Sequence, residues 1–346
     1  MRIAVGVAVA FVAFGIAGGV WTLRAGGTSA QSPAQKVAEQ KPVEAPAMKP
    51  SPFPAVGSQK DDITGSITPP PPPAPAPKLV AMARPCANPN ALGISRTVEV
   101  DTTGGPGFGF QHFKQLDFLA DHEVVLTFDD GPWQGHTQAV LKALADECTT
   151  GVFFAIGKHA TYYPDVLKQV AAAGHTVGTH TWSHANLNKK GMTEQQQKDE
   201  IEKGVSAVAW ALGSAPAPFF RFPELQHPPG MVTYLGDRNV AIFSCDLDSF
   251  DFKAQKPEQI VERVMSGLAK QGKGIILMHD FQKHTGEALP ALLARLKAEG
   301  YKVVAMKAKA PMQTLPQYDE AFLKDTKLPT VSSRPVRSVV QTISTN

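Results

Sequence analysis

The chain has 346 residues, 43% of them apolar, and a formal charge of +3. A single compact core rarely exceeds about 250–300 residues, so one catalytic-size domain with accessory segments fits this length. The charge is too mild and too dispersed for a nucleic-acid binder, which would carry a basic stripe with interleaved aromatics.

Arg2 precedes an almost unbroken apolar run over 3–20. The run exceeds the roughly 7–15 residues of a signal-peptide core and approaches the roughly 20 that span a bilayer. Thr28, Ser29 and Ala30 offer a loose small-residue cleavage site. Residues 1–25 are therefore read as a signal peptide or a single N-terminal membrane anchor, and residues 26–85, with prolines at 69–73 and a Pro-Ala alternation, as a disordered linker. Either export reading places the remainder outside the cytoplasm, in the periplasm or cell envelope.

Residues 86–120 read as an N-terminal extension packing on the catalytic domain. Their glycines, Gly104, Gly105, Gly107 and Gly109, lack the GKS or GKT ending of a phosphate loop, which leaves a surface loop or hairpin. Cys86, Cys148 and Cys245 fit no CxxC metal site. In an oxidising compartment Cys86 with Cys148 is the preferred pair, because Cys245 lies in an apolar run; three free, buried thiols are the alternative.

Over 121–306 short apolar runs alternate with amphipathic stretches. Strands are expected at 124–128, 152–156, 175–178, 219–222, 240–244, 274–278 and 301–304. Helices are expected at 137–145, 164–173, 193–212, 257–270 and 286–299. Thr193 with Gln196 resembles a capping box, and Gly174, Gly213 and Gly300 sit where C-terminal caps belong. The alternation predicts an α/β fold with about seven mainly parallel strands, either an open sheet or a barrel. The tail over 307–346 is polar and Pro-spaced, so flexibility or an added surface strand is expected.

Reactive side chains cluster at the ends of the expected strands: Asp129 and Asp130, His180 and His184, Arg221 and Glu224, Asp246, Asp248 and Asp251, then His279 and Asp280. Parallel α/β folds gather their sites at the C-terminal ends of strands, so these groups converge on one cleft. Asp129 and Asp130 leave a strand in different directions; one can bind a metal while the other serves as a base. His180 and His184 are four apart, which in a helical turn puts both on one face. With Asp130 they make an open site of mixed N and O donors, suited to Zn²⁺ and open to Co²⁺ or another first-row ion. Asp251 offers His279 an orienting carboxylate. Arg221 is costly to bury alone and is expected to pair with a carboxylate such as Asp129.

These residues resemble the polysaccharide deacetylase family, carbohydrate esterase family 4. TFDDGP at 127–132, HTWSH at 180–184, RFP at 221–223, DSFDF at 248–252 and LMH at 277–279 match its motifs in order. The resemblance implies a distorted, incomplete (β/α) barrel. It implies Asp129 as general base, Asp130, His180 and His184 as metal ligands, and His279 as general acid tuned by Asp251. It also implies Arg221 holding Asp129, and Leu277 lining the acetyl pocket beside Pro223. Two positions depart from the family. Glu224 replaces the usual aromatic after Pro223, which leaves the backbone N–H donor but alters contacts to substrate. Phe252 replaces the usual Trp, which keeps an apolar wall without an indole N–H.

The activity implied is removal of N-acetyl groups from an N-acetylglucosamine-containing polysaccharide, a chitin-like oligomer or peptidoglycan, with release of acetate. The alternatives are an O-acetyl esterase on another acetylated polysaccharide and a non-catalytic glycan-binding module on the same fold. The expected partner is the polysaccharide, with no nucleic acid, membrane contact only through the N-terminal segment, and a monomer as the simplest assembly.

Overall fold

The computed structural model describes residues 86–325. The segments read as signal or anchor and linker, and the tail beyond 325, lie outside the described residues. No helix among the described residues is long and apolar enough to cross a membrane.

The organising strand is β3, Glu123–Asp129, buried along its whole length. A run buried on both faces belongs in the middle of a parallel sheet. On one side it leads through β4 (Val152–Ala155), β5 (Thr176–Thr179) and β6 (Phe219–Phe220) to β7 (Ala241–Phe243). On the other it pairs with β9 (Gly274–His279), which pairs with β8 (Leu247–Asp248). Every one of these ladders is parallel, and they form a seven-strand ring open at one step, since no described ladder joins β7 to β8.

The ring is not built from the seven runs expected. The run at 301–304 belongs to β10, Lys302–Ala308, which pairs only with Glu123 and Val124 of β3 and carries β1, Arg96–Val100, on its far side. Its place in the ring is taken by β8, two residues too short to register as an apolar run. The glycine cluster also departs from a hairpin. β2, Gly107–Phe108, lies parallel to β7 and extends along the open step. A Cβ on Gly105 would lie 2.6 Å from the Gly236 Cα, and one on Gly109 would lie 2.6 Å from the Cys245 nitrogen. Those glycines serve close backbone contact, which composition alone does not distinguish from a turn. Asp246 clasps the seam: its carboxylate accepts from the Phe110 N–H at 2.5 Å and the Ile275 N–H at 2.6 Å.

Helices α1 (His136–Asp146), α3 (Pro164–Ala172), α4 (Glu194–Leu212), α6 (Pro257–Gln271) and α7 (Lys283–Ala298) wrap the strands, joined by the shorter α2 (Gly157–Tyr162) and α5 (Pro229–Asp237). The Thr193–Gln196 box caps α4 as expected, and Gly213 ends it in the left-handed conformation. The tail over 316–325 is a helix, α8 (Pro316–Asp325), where flexibility or a strand was expected. Phe322 is buried against Trp182 and Trp210, at ring distances of 6.0 and 6.1 Å, and Asp319 accepts from Ser206 Oγ at 2.6 Å. A disulfide joins Cys86 to Cys148, with Cα atoms 5.7 Å apart, and Cys245 is free and buried.

Strand alternation sorts the core. Val124, Leu126 and Phe128 belong to the cluster under the helices, while Val125 joins Phe154, Phe219, Phe243 and Ile275 in a second cluster. The two-residue period therefore puts Thr127 and Asp129 on the face of Val125, and Leu277 and His279 on the face of Ile275. Asp129 and His279 are paired in register at the C-terminal ends of their strands.

Candidate metal-centred active site

Arg221 is fully buried and the largest such side chain in the described chain. Its Nη1 donates to Asp129 Oδ1 at 2.7 Å and to Thr127 Oγ1 at 2.8 Å. Its Nη2 donates to the Ser244 carbonyl at 2.8 Å, its Nε to that of Phe243 at 3.4 Å, and the guanidinium lies 4.4 Å from the Phe154 ring centre. A buried guanidinium needs such a complete set of acceptors to offset its desolvation. Burial pushes the Asp129 carboxyl up from its ordinary value, and Arg221 pulls it back.

Asp130 stands beside it with φ at 72°. Its Oδ1 lies 3.5 Å from His180 Nε2 and 3.4 Å from His184 Nε2. That oxygen is buried and has no hydrogen-bond partner. His180 gives its Nδ1–H to the Arg221 carbonyl at 2.6 Å, which turns the Nε2 lone pair toward Asp130. Burial, with His184 and Arg221 nearby, holds His180 well below the ordinary imidazole value and therefore neutral. One ligand atom from each of the three residues lies within 4.8 Å of the others, a group able to hold a metal ion. A buried, orphaned carboxylate oxygen facing two imidazole nitrogens fits a divalent cation of the zinc type.

The two histidines do not ride on a helical turn. Thr181 and His184 are in the left-handed region, at φ 64° and 60°, within a tight turn. The turn is clamped by α4. The Trp182 N–H donates to the Glu200 carbonyl at 2.7 Å, and the Glu200 carboxylate accepts from Ser183 N at 2.9 Å and Ser183 Oγ at 2.8 Å. A Cβ at Gly204 would come 2.6 Å from the Thr181 carbonyl carbon, so the helix can approach only with glycine there.

His279 Nδ1 bonds Asp251 Oδ1 at 2.6 Å, and its backbone N–H donates to Oδ2, also at 2.6 Å. Thr285 Oγ1 donates to the same carboxylate. Burial opposes charging the imidazole, but the Asp251 hydrogen bond and charge, with Asp130 and Asp129, outweigh it and hold His279 up at about 10. Phe252 is exposed and meets His279 edge-on at 5.6 Å. Leu277 and Pro223 are buried. Glu224 adopts φ 54° and its Oε2 accepts from Asn186 Nδ2 at 2.7 Å, so its side chain is held toward the 186 loop.

Of the other clustered acids, Asp246 serves the seam and Asp248 caps the Phe250 N–H at 2.8 Å. Asp280 accepts from Gly131 N at 3.1 Å and Thr137 Oγ1 at 2.5 Å, with burial pushing it up to about 7. A Cβ on Gly131 would lie 2.0 Å from Asp280 Oδ2, so the Gly-Pro turn carrying both aspartates is seated on this carboxyl. Sequence reasoning passed over Glu200 and Gly204, and it gave Thr127 no role beyond its place in TFDDGP. It also passed over His159, whose Nδ1 donates to the Asp130 carbonyl at 2.6 Å and whose ring stacks on Phe281. His159, Tyr162 and Phe281 line an open pocket of about 320 Å³ against Asp130 and His184.

An open parallel α/β ring with a carboxylate–imidazole group able to hold a metal ion, an arginine-held aspartate and an aspartate-held histidine defines a hydrolase-like centre. The polysaccharide deacetylase family model matches residues 119–240. A peptidoglycan-N-acetylglucosamine deacetylase of Bacillus cereus is 30% identical over 192 residues, covering 52% of this chain and 67% of that one. PgdA of Listeria monocytogenes, also a peptidoglycan-N-acetylglucosamine deacetylase, is 32% identical over 53% of this chain, which spans 38% of its length. Chitin deacetylase 1 of Saccharomyces cerevisiae is 32% identical over 49% of this chain and 56% of its own. Among solved structures, the peptidoglycan deacetylase Bd3279 of Bdellovibrio bacteriovorus superposes with a TM-score of 0.56 at 34% identity, over 62% of this chain and 59% of that one. The chain belongs to the polysaccharide deacetylase family.

Proposed function

We propose that this chain is an exported, zinc-dependent hydrolase that removes acetyl groups from N-acetylglucosamine units of a polysaccharide, peptidoglycan or a chitin-like oligomer. The observation that carries the reading is the unpartnered Asp130 Oδ1 facing His180 and His184, flanked by the Arg221–Asp129 and Asp251–His279 pairs. The names of the relatives supply the substrate class. The Cys86–Cys148 disulfide and the apolar run over 3–20 support export.

Asp130, His180 and His184 would hold the ion, which when bound would supply Lewis acidity to the acetamide carbonyl and lower the pKa of water. Asp129 Oδ1 is occupied by Arg221, and Oδ2, 3.9 Å from His180 Nε2, takes the proton of the attacking water. The backbone N–H of Glu224 donates to the developing oxyanion. His279, with Nδ1 committed to Asp251, gives its Nε2 proton to the departing sugar nitrogen. Leu277 and Phe252 wall the acetyl group and the sugar.

The test is acetate release from N-acetyl-chito-oligosaccharides by the full chain, with chelator and then with Zn²⁺ or Co²⁺ restored. Release that chelator abolishes, metal restores and Asp129→Asn eliminates is expected. Near-normal turnover in Asp129→Asn, or turnover indifferent to chelator, overturns the assignment.

A further inference from the structure

Beside the acid His279 the chain turns through Ser249 and Phe250 into a 3-10 turn, Asp251–Lys253, before entering α6. Between that turn and α6 runs an open groove of about 590 Å³. Its α6 wall is Gln259, Arg263, Ser266 and Lys270, residues spaced to share one face of the helix. Its other wall is Phe250 and Lys253. Lys253 Nζ and the Arg263 guanidinium each lie 4.9 Å from the Phe250 ring centre. Three cations therefore face the groove. The single carboxylate in its lining, Glu262, is already paired with Arg295 at 2.6 Å.

Phe250 itself sits at φ 49°, a conformation a bulky residue adopts only when its surroundings impose it. The Asp248 carboxylate accepts its N–H at 2.8 Å. Phe252 lies 5.8 Å from Phe250 and 5.6 Å from His279, so two ring contacts link the groove to the acid.

We infer that this groove binds a carboxylate-bearing substituent of the glycan substrate while the sugar to be deacetylated lies at the metal group. The inference rests on the deacetylase reading and narrows it. A chitin-like oligomer is neutral and leaves three cations unused. A peptidoglycan strand carries carboxylates along its peptide stems and, on sugars that have lost the stem, a free lactyl carboxylate in its place, and either meets lysine and arginine donors by charge-assisted hydrogen bonds.

The experiment compares the full chain with the double variant Arg263→Glu, Lys270→Glu, neither residue touching the metal group or His279. Three soluble probes are used: chitopentaose, a peptidoglycan fragment with its stems, and the same fragment after amidase has removed them. Acetate-release kinetics are measured, and fragment binding is measured separately in chelator, where turnover is silent. The expected result is a rise in KM and in Kd for the stem-bearing fragment of roughly three- to tenfold, since exposed ion pairs contribute up to about fivefold each. The kcat on that fragment and both constants on chitopentaose stay within twofold, and added salt shrinks the difference. An effect confined to the stem-bearing fragment assigns the contact to the stem carboxylates alone; an equal effect on the amidase product shows that the lactyl carboxylate freed by the amidase meets the same groove. Equal constants for variant and parent, or an equal loss on chitopentaose, overturns the inference. If the parent turns over none of the probes the deacetylase reading fails, and binding in chelator still decides the groove.

Discussion

Arg221→Met is the perturbation that most directly probes how the centre is held. The substitution keeps bulk inside the barrel and removes one charge. It strands the Asp129 carboxylate, 2% exposed, without its 2.7 Å partner, and it orphans the Ser244 carbonyl and the Thr127 hydroxyl oxygen. Removing one member of a buried ion pair costs about 3–5 kcal/mol, because the remaining charge stays desolvated. For a domain of this size that corresponds to a drop in Tm of roughly 6–20 °C. Urea unfolding of the full chain in chelator, where bound metal cannot mask the loss, reads the free energy. The double variant Arg221→Met, Asp129→Asn removes the stranded charge and is expected to recover at least about 1 kcal/mol of it, within the usual coupling of contacting residues. An Arg221→Met protein within about 1 kcal/mol of the parent would refute the reasoning. So would losses in the double variant that simply add, because the buried pair would then not be the element that organises the barrel mouth.

Three further outcomes follow from the same geometry. Asp251→Asn removes the principal influence that raises His279, so the alkaline limb of the kcat–pH profile is expected to move down by about one to three pH units. Because the folded-state value is raised to about 10, the stability His279 contributes is complete below its ordinary value near 6.5 and is lost as pH rises through about 10; an unmoved limb would deny His279 the role of acid. Glu200→Ala releases the turn that aims His180 and His184, so zinc affinity measured by chelator competition should fall about 10- to 100-fold with turnover retained at saturating metal; unchanged affinity would show that α4 does not position the ligands. Paired Cys86→Ser and Cys148→Ser substitutions open a loop with a sequence separation of 62, whose closure entropy is about 4 kcal/mol at most. A urea midpoint shift equivalent to about 2–4 kcal/mol is expected, and a shift below about 0.5 kcal/mol would mean the bond constrains nothing.

The strand ends were legible because parallel β/α repeats concentrate polar side chains there. TFDDGP, HTWSH, RFP, DSFDF and LMH all arrive at one end of the ring. What the pattern hid has physical causes. β8 is two residues, too short for any period to register, and it is held by a ladder to β9, distant in sequence. The turn of His180 and His184 mimics helical spacing while lying in left-handed backbone; only the approach of Gly204, twenty residues on, explains it. Glu200 reads in sequence as one more polar position on an amphipathic helix, and its purpose appears only when that helix lies against the turn. The acids Asp246, Asp248 and Asp280 look like Asp129 in sequence. They differ in receiving backbone N–H groups, which marks them as holding loops in place.

The open step of the ring bears on catalysis as well as on architecture. Arg221 holds Asp129 only because the carbonyls of Phe243 and Ser244 face it, and those residues lie at the end of β7, where the ring has no partner from β8. The missing neighbour is supplied by the extension. The Ser244 N–H donates to the Phe108 carbonyl at 2.7 Å, the Gln111 N–H to the Cys245 carbonyl at 3.1 Å, and His112 bonds Ser244 Oγ at 2.7 Å. These contacts fix the strand end whose carbonyls receive Arg221. The motif-bearing stretch therefore does not by itself fix Asp129, the proposed base. Its rigidity passes from β2 through Ser244 to Arg221 and Asp129, so the unit that positions the chemistry begins before Gly107, upstream of the first family motif.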